Sequence, residues 1–170
     1  MELQKNARLS LLLAFAVVLN IIENSIPLFG GHIPGLKLGL ANSIILFVLY
    51  IYSFKDAMYI SILRVFLVAI LRTGVFSQAF FFSLMGALLS GGAMFLTKKF
   101  TKLSIVGVSI VGSIFHSIGQ VLMAIIILNN NMIYYLPWLL IFSIPTGIIV
   151  GIISKELVNY FKNDLQNFEN

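Results

Sequence analysis

Cationic side chains lie in or beside the apolar runs of this sequence, and their type and number favour binding of an anionic group. Arg64 lies near the middle of one apolar run, Arg72 closes the same run and Lys37 opens the preceding one. An arginine at the centre of a membrane span costs roughly 2.5–3.5 kcal/mol on insertion scales, so Arg64 requires an internal partner, either Glu23 or an anionic ligand. The excess of cations over carboxylates favours a ligand carboxylate or phosphate, which suits the bidentate geometry of arginine.

Amide and imidazole side chains extend this set of polar residues. His116 and Gln120 are four residues apart and therefore share one helical face. Asn24 and Asn42 flank the first inter-span stretch, and Gln78 opens the fourth apolar run. The complete predicted substrate-binding set is Glu23, Asn24, His32, Lys37, Asn42, Arg64, Arg72, Gln78, His116 and Gln120.

Each of these residues also has a structural interpretation, which the sequence leaves open. The long side chains of Lys37 and Arg72 could snorkel to the membrane interface. Glu23 could pair with Arg64 or Arg72 and serve only to fix the bundle. His116 and Gln120 could be core residues that hydrogen-bond across helices.

The stretch from Glu23 to Asn42, ENSIPLFGGHIPGLKLGLAN, is unusual for a connection between spans. It contains two of the four prolines of the chain and four of the thirteen glycines, interleaved with apolar side chains. Turn formers alternating with apolar residues favour a loop that folds back onto the protein. We expect this loop to form the lid and one wall of a ligand site, and a simple connector with interfacial anchors is the alternative.

The sequence gives no support for catalysis. It lacks the GxxxxGK[ST] loop that binds ATP phosphates. Asp56 and Asp164 are the only aspartates and neither belongs to an acidic cluster, whereas binding a diphosphate through magnesium usually requires clustered carboxylates. With two histidines and no cysteine, no metal site is indicated. We therefore predict that the chain is not an enzyme and carries no cofactor and no metal.

The composition is that of a polytopic membrane protein. The chain is 59% hydrophobic and 10% charged, with a mean hydropathy of +1.02, whereas soluble domains contain about 25% charged residues. Six apolar segments are each long enough to cross a bilayer. They cover about 8–27, 37–53, 56–72, 76–97, 103–128 and 133–154.

The distribution of lysine and arginine predicts the topology. With a cytoplasmic N-terminus, the inner side carries eight of these cations and the outer side carries only Lys37 and Arg72, in agreement with the positive-inside rule. Membrane topology thus accounts for the net charge of +5, so no nucleic-acid partner is predicted. We predict one all-α domain of six transmembrane helices over 1–154, a cytoplasmic amphipathic tail over 155–170, and both termini in the cytoplasm. The eight inner cations are Lys5, Arg8, Lys55, Lys98, Lys99, Lys102, Lys155 and Lys162.

Small residues recur at fourfold spacing within several spans. In a lipid environment such faces allow close backbone packing between helices, so they are expected mainly to pack the bundle. One of them could also dock another membrane protein. The faces are Gly35 and Gly39; Ser83, Ala87 and Gly91; Ser109, Ser113 and Ser117; and Ser143, Gly147 and Gly151.

Four stretches of the sequence resemble a known family. They are IPGLKLGLAN from Ile33, LRVFL from Leu63, SLMGALLS from Ser83 and IFHSIGQ from Ile114. Together they resemble the Gx transporter family, also labelled heptaprenyl diphosphate synthase component I. That family is similar to the substrate-binding S components of energy-coupling-factor vitamin transporters.

The resemblance implies a six-helix S-component bundle with a substrate site near the outer face, capped by the loop between helices 1 and 2. It assigns that site to the loop and to Lys37, Asn42, Arg64, His116 and Gln120. It also implies docking through helix 1 onto a membrane coupling subunit driven by ATPase subunits. S components typically carry an AxxxA motif for this docking, and the nearest match here is Ser10 with Ala14.

The sequence thus predicts a membrane subunit that captures a small anionic or amphipathic molecule from the outer face. Vitamin-like compounds are candidates, and the label of the family it resembles adds isoprenoid or quinone precursors. The older family label implies a different role, a noncatalytic membrane accessory subunit of a polyprenyl diphosphate synthase. A stand-alone secondary carrier is a third possibility, but residues 1–75 and 76–154 show no convincing inverted repeat.

Overall fold

The computed structural model describes residues 2–25, 39–128, 133–134 and 136–169, with side chains except at 2, 24 and 164–169. Within these residues the chain forms six helices and a short π-helical turn. The helices are α1 (Glu2–Ser25), α2 (Leu40–Ile51), α3 (Phe54–Val68), α4 (Gln78–Phe100), α5 (Ile105–Leu128) and α6 (Leu136–Glu169).

Four of the described helices are long and apolar enough to cross a membrane, namely α1, α4, α5 and α6. Helix α2 has 12 residues and spans about 18 Å, which is shorter than a bilayer core of about 30 Å. The prediction of six helices is therefore confirmed, and that of six complete spans stays a prediction for α2 and α3. Helix α6 continues without a break past residue 154, where the sequence predicted the domain to end and the tail to begin.

Helix α2 lies at the centre of the bundle. Eight of its twelve residues are buried, on all sides of the helix, and it packs against α1, α3, α4 and α6. A helix that is hydrophobic all round is expected in such a position. The Ser154 hydroxyl of α6 is fully buried and lies 3.1 Å from the carbonyl oxygen of Ser43 in α2.

Serine side chains determine where three of the helices begin. Each serine precedes its helix, and its hydroxyl accepts the backbone N–H three residues further on, which satisfies a donor that the helix itself cannot pair. The pairs are Ser53 with Asp56, Ser77 with Phe80 and Ser104 with Gly107, at 3.1, 3.2 and 3.2 Å.

A π-helical turn, Ala69–Thr73, extends α3. Its defining hydrogen bond runs from the Gly74 N–H to the Ala69 carbonyl at 2.8 Å. Gly74 has φ +84°, a conformation that ends the helix and that residues other than glycine rarely adopt. Such wide turns frequently occur at functional sites in helical proteins.

Contacts between helix termini define the two ends of the bundle. At one end, Lys5 of α1 forms an ion pair with Asp56 of α3 at 2.8 Å, and Arg8 stacks over the Phe161 ring of α6. We call this the basic end. The start of α1 and the last turns of α6 therefore lie at the same end of the bundle.

Glycines allow close contact between helices in the layer formed by α4, α5 and α6. A methyl group added at Gly151 would lie 2.7 Å from the Val106 Cα atom and 3.0 Å from the Ser109 Cβ atom. One added at Gly147 would lie 3.0 Å from the Ser113 hydroxyl. The fourfold faces of α5 and α6 therefore pack against each other, as small residues permit in membranes.

We predict that Gly151→Ala destabilises the protein by about 1–3 kcal/mol, because the added methyl group meets backbone that cannot move independently. Gly92→Ala on α4 is the matched control, since a methyl group there would have no atom within 4 Å. Thermal unfolding in mild detergent measures both variants. Equal melting temperatures for the two variants would contradict the close packing of α5 and α6.

Candidate functional site

Arg64 is buried within the bundle on the inner face of α3. Only 3% of its surface is exposed, and its neighbours Ser61, Val65 and Val68 on the same face are also buried. The Arg64 Nη1 atom donates a hydrogen bond to Asn42 Oδ1 of α2 at 3.0 Å. The Nε atom is also buried and has no hydrogen-bond partner among the described residues. A buried donor without a partner costs roughly 1–3 kcal/mol, so a native example requires an explanation.

A polar cavity of about 110 Å³ lies beside Arg64 and is lined by residues of all six helices. Its volume exceeds that needed for a single water molecule several times over. Most of the lining side chains are polar, and they include both hydrogen-bond donors and acceptors. They are Asn20, Glu23, Asn42, Arg64, Thr73, Ser83, Ser113, His116, Ser117, Gln120, Ser143 and Thr146, with Gly39, Val65, Val68, Ala79 and Phe80 completing the wall.

Glu23 joins α1 to the start of α2. Its Oε1 atom accepts the backbone N–H of Leu40 at 2.6 Å, and the residue is only 6% exposed. The residue preceding α2 is Gly39, which has φ +77° and no side chain with which to cap the helix. Glu23 therefore supplies this cap from another helix, where a negative charge is also favoured by the helix dipole. Its carboxylate also interacts electrostatically with Arg64.

His116 and Gln120 both line the cavity from α5, on the face that their spacing indicates. They pack across α4 at Gly86. A methyl group added at Gly86 would lie 2.9 Å from His116 Cε1 and 3.1 Å from Gln120 Cγ. Gly86 therefore provides the space for both side chains, a role that its place in the sequence does not indicate.

Arg72 and Gln78 lie outside the lining of this cavity. Arg72 is exposed and donates from Nη1 to the carbonyl oxygen of Ile21 at 2.9 Å, with the Ser25 hydroxyl at 3.4 Å. These contacts stabilise the last turn of α1, where a cation is favoured. Gln78 is exposed at the start of α4. The structure thus separates both residues from the cluster to which the sequence assigned them.

The remaining predicted residues fall elsewhere. His32 and Lys37 lie outside the described residues, as does the central part of the predicted lid, and the side chain of Asn24 is likewise not described. Ser10 and Ala14 are both exposed on α1. They share the outer surface of that helix with apolar residues that include Leu11 and Val18.

Serine and threonine hydroxyls contribute more to the cavity than the sequence analysis expected. Ser113 and Ser117 were assigned to helix packing, but both also line the cavity. With His116 and Gln120 they have the spacing i, i+3, i+4 and i+7, which places all four on one face. This spacing in the sequence could have indicated that Ser113 and Ser117 lie on the same face as His116 and Gln120. The α6 residues Ser143 and Thr146 follow the same pattern.

The arrangement is suited to binding rather than to covalent chemistry. The cavity combines one guanidinium, one carboxylate, amides, hydroxyls and an imidazole, which together can orient a small polar group by hydrogen bonds. In the described part of the chain, no group of three or more His, Asp or Glu residues could hold a metal ion. Arg64 lines this cavity, and its Nε donor has no hydrogen-bond partner among the described residues.

The helical fold, the four apolar helices of spanning length and the internal polar cavity define a helical membrane protein. The family model described as heptaprenyl diphosphate synthase component I matches residues 12–157, and the chain belongs to this family. Members of this family are noncatalytic components, in agreement with the prediction that the chain is not an enzyme. Comparison with curated proteins and with solved structures gave no match.

Two substitutions at Glu23 distinguish the contribution of its helix cap to stability from that of its negative charge. Glu23→Gln keeps an oxygen that accepts the Leu40 N–H, whereas Glu23→Ala removes both the acceptor and the charge. We expect Glu23→Ala to destabilise the protein by about 1–2 kcal/mol, the usual cost of losing a cap, and Glu23→Gln by less than half as much. Thermal unfolding in mild detergent measures the difference. Equal losses would show that attraction to Arg64, and not the cap, is the main contribution of Glu23.

Proposed function

We propose that this chain is the substrate-binding membrane subunit, or S component, of an energy-coupling-factor importer driven by ATP. Its cavity would take the anionic end of a small molecule, either vitamin-like or an isoprenoid or quinone precursor. The observation that carries the proposal is the buried Arg64, with an Nε donor unused by the described residues, beside a polar cavity.

Burial of Arg64 supports a ligand of negative charge. A cation at this depth in a membrane bundle is costly unless it is paired. Asn42 supplies one hydrogen bond but no charge, and Glu23 supplies an electrostatic attraction while its carboxylate accepts the Leu40 N–H. A carboxylate or phosphate bound in the cavity would pair with the guanidinium and accept its remaining donors.

The dimensions of the cavity support partial enclosure of the ligand. A volume of about 110 Å³ accommodates a headgroup rather than a complete drug-sized molecule, for which pockets of about 300–1,000 Å³ are usual. We infer that the anionic group lies in the cavity and that the rest of the molecule extends towards the outer face. The predicted loop over 23–42 would cover it there.

The proposal includes six spans, both termini in the cytoplasm and delivery inward through a coupling subunit with ATPase subunits. The charge distribution supports this orientation, because the cations of the basic end are those assigned to the cytoplasmic side. The absence of a phosphate-binding loop from the sequence supports a requirement for separate ATPases. The exposed small residues Ser10 and Ala14 are available on α1 for close helix contact.

The description of the family favours a second function. Under that description the chain would be a noncatalytic membrane accessory subunit of a heptaprenyl diphosphate synthase. Arg64 would then bind a phosphate-bearing intermediate or serve as a structural cation.

Native mass spectrometry of the full chain in mild detergent tests ligand capture. We expect the wild type to retain a small molecule. In Arg64→Lys, occupancy by this molecule should fall at least about tenfold, because lysine keeps the positive charge but lacks the planar guanidinium that forms bidentate hydrogen bonds. Arg72→Lys is the matched control outside the cavity and should retain the ligand. If the wild type carries only bulk lipid, or if both variants retain the molecule equally, capture by Arg64 is wrong.

Affinity purification with a tag on this chain tests the partners. We expect a membrane coupling protein and ATPases to co-purify, and Ser10→Leu to reduce their recovery severalfold because the bulky side chain prevents close helix approach. Ser10→Ala keeps the small size and should retain them. Recovery of a prenyl diphosphate synthase subunit in their place would favour the second function, and no specific partner would indicate a stand-alone carrier.

A further inference from the structure

A second cavity, of about 260 Å³, lies at the basic end of the bundle between α2, α3 and α4. It shares no lining residue with the cavity beside Arg64. Its walls combine two lysines with aromatic and aliphatic side chains, and the described residues that line it include no carboxylate. They are Leu49, Tyr52, Ser53, Phe54, Phe95, Lys98 and Lys99.

Lys98 is held in place at this cavity by two contacts with α2. Its Nζ atom donates a hydrogen bond to the Leu49 carbonyl oxygen at 2.7 Å and lies 4.5 Å from the centre of the Tyr50 ring. An ammonium has three donors, so donors remain for another acceptor. Lys162 of α6 lies close enough to Lys98 to add to the positive potential.

Lys99 lies beside Lys98 and makes only aromatic contacts among those described. Its Nζ atom is 5.9 Å from the centre of the Phe95 ring and 5.4 Å from that of the Phe100 ring. Neither lysine forms an ion pair with a carboxylate in the described part of the chain. Two adjacent ammonium groups therefore face the same cavity without a negative charge between them.

Part of the cavity wall is apolar. The rings of Phe54 and Phe95 stack with their centres 4.2 Å apart, beside Leu49. The Ser53 hydroxyl donates to Asp56 Oδ2 at 2.7 Å and also accepts the Asp56 N–H, so it is already engaged. The charged donors of this site therefore come from its two lysines, while the stacked rings favour contact with hydrocarbon.

We propose that this cavity binds the headgroup of an anionic phospholipid. The lysines would contact the phosphate, and the stacked rings and Leu49 would contact the glycerol and the first acyl carbons. Basic pockets between helix ends at a membrane surface commonly recognise such headgroups. Free inorganic phosphate would make no use of the stacked rings, so the site favours the amphipathic anion.

The test is a lipid titration of the full chain in mild detergent, followed by native mass spectrometry. The probes are phosphatidylglycerol and phosphatidylcholine with identical acyl chains. We expect tighter binding of phosphatidylglycerol to the wild type and a loss of about fivefold in Lys99→Gln, the factor expected for one lysine near a membrane surface. Lys102→Gln removes the same charge from an exposed position outside the cavity and should change affinity by less than about twofold.

Lys98→Gln/Lys99→Gln should abolish the preference for phosphatidylglycerol. Lys98 also contacts the end of α2, so size-exclusion chromatography and thermal unfolding check the fold, and Lys99→Gln alone decides the question if the double variant does not fold. Equal binding of the two lipids, or equal losses in Lys99→Gln and Lys102→Gln, would overturn the proposal. Displacement of phosphatidylglycerol by millimolar inorganic phosphate would overturn the assignment to a lipid in favour of a free-phosphate site.

Discussion

The buried guanidinium of Arg64 is the constraint on which the interior of this protein depends. A positive charge among membrane helices is tolerated only where hydrogen bonds and opposite charges surround it. Asn42 meets part of that requirement directly, and Glu23 contributes electrostatically while holding the start of α2. Residues of three helices, α1, α2 and α3, therefore interact around the charge of Arg64. The same charge favours the polar side chains that line the cavity around it.

Small residues in this bundle allow some helices to pack closely and leave space for cavity side chains elsewhere. Gly147 and Gly151 bring α6 against α5, and Gly86 leaves room on α4 for the side chains of α5. Where a small residue carries a hydroxyl, as at Ser113, it permits close approach and also presents a hydrogen-bonding group to the cavity. Helices that gain little from hydrophobicity in lipid are thus held together by the same residue types that line the polar interior.

The sequence predicted the number of helices, because the apolar runs are long and clearly interrupted. It did not indicate that α2 lies at the centre of the bundle, since a fully buried helix and a lipid-exposed one have the same apolar composition. Residue type and spacing located Arg64, His116 and Gln120. They did not indicate that Arg72 lies outside the cavity lining, because a position near a helix end does not specify the direction of the side chain, and its guanidinium turns towards the Ile21 carbonyl of α1. Ser117 was overlooked because packing accounted for its small size.

Helix α6 contains a proline, and a helix bends most easily at such a position. Pro145 lies inside it, between the cavity residues Ser143 and Thr146, where the proline removes a hydrogen bond and makes a helix easiest to bend. From there the helix runs unbroken to Glu169, a distance of about 36 Å at 1.5 Å per residue. A tilt of about 10° at the proline would therefore displace the far end by about 6 Å. A single helix therefore joins residues that line the cavity to turns that continue beyond Phe161 at the basic end.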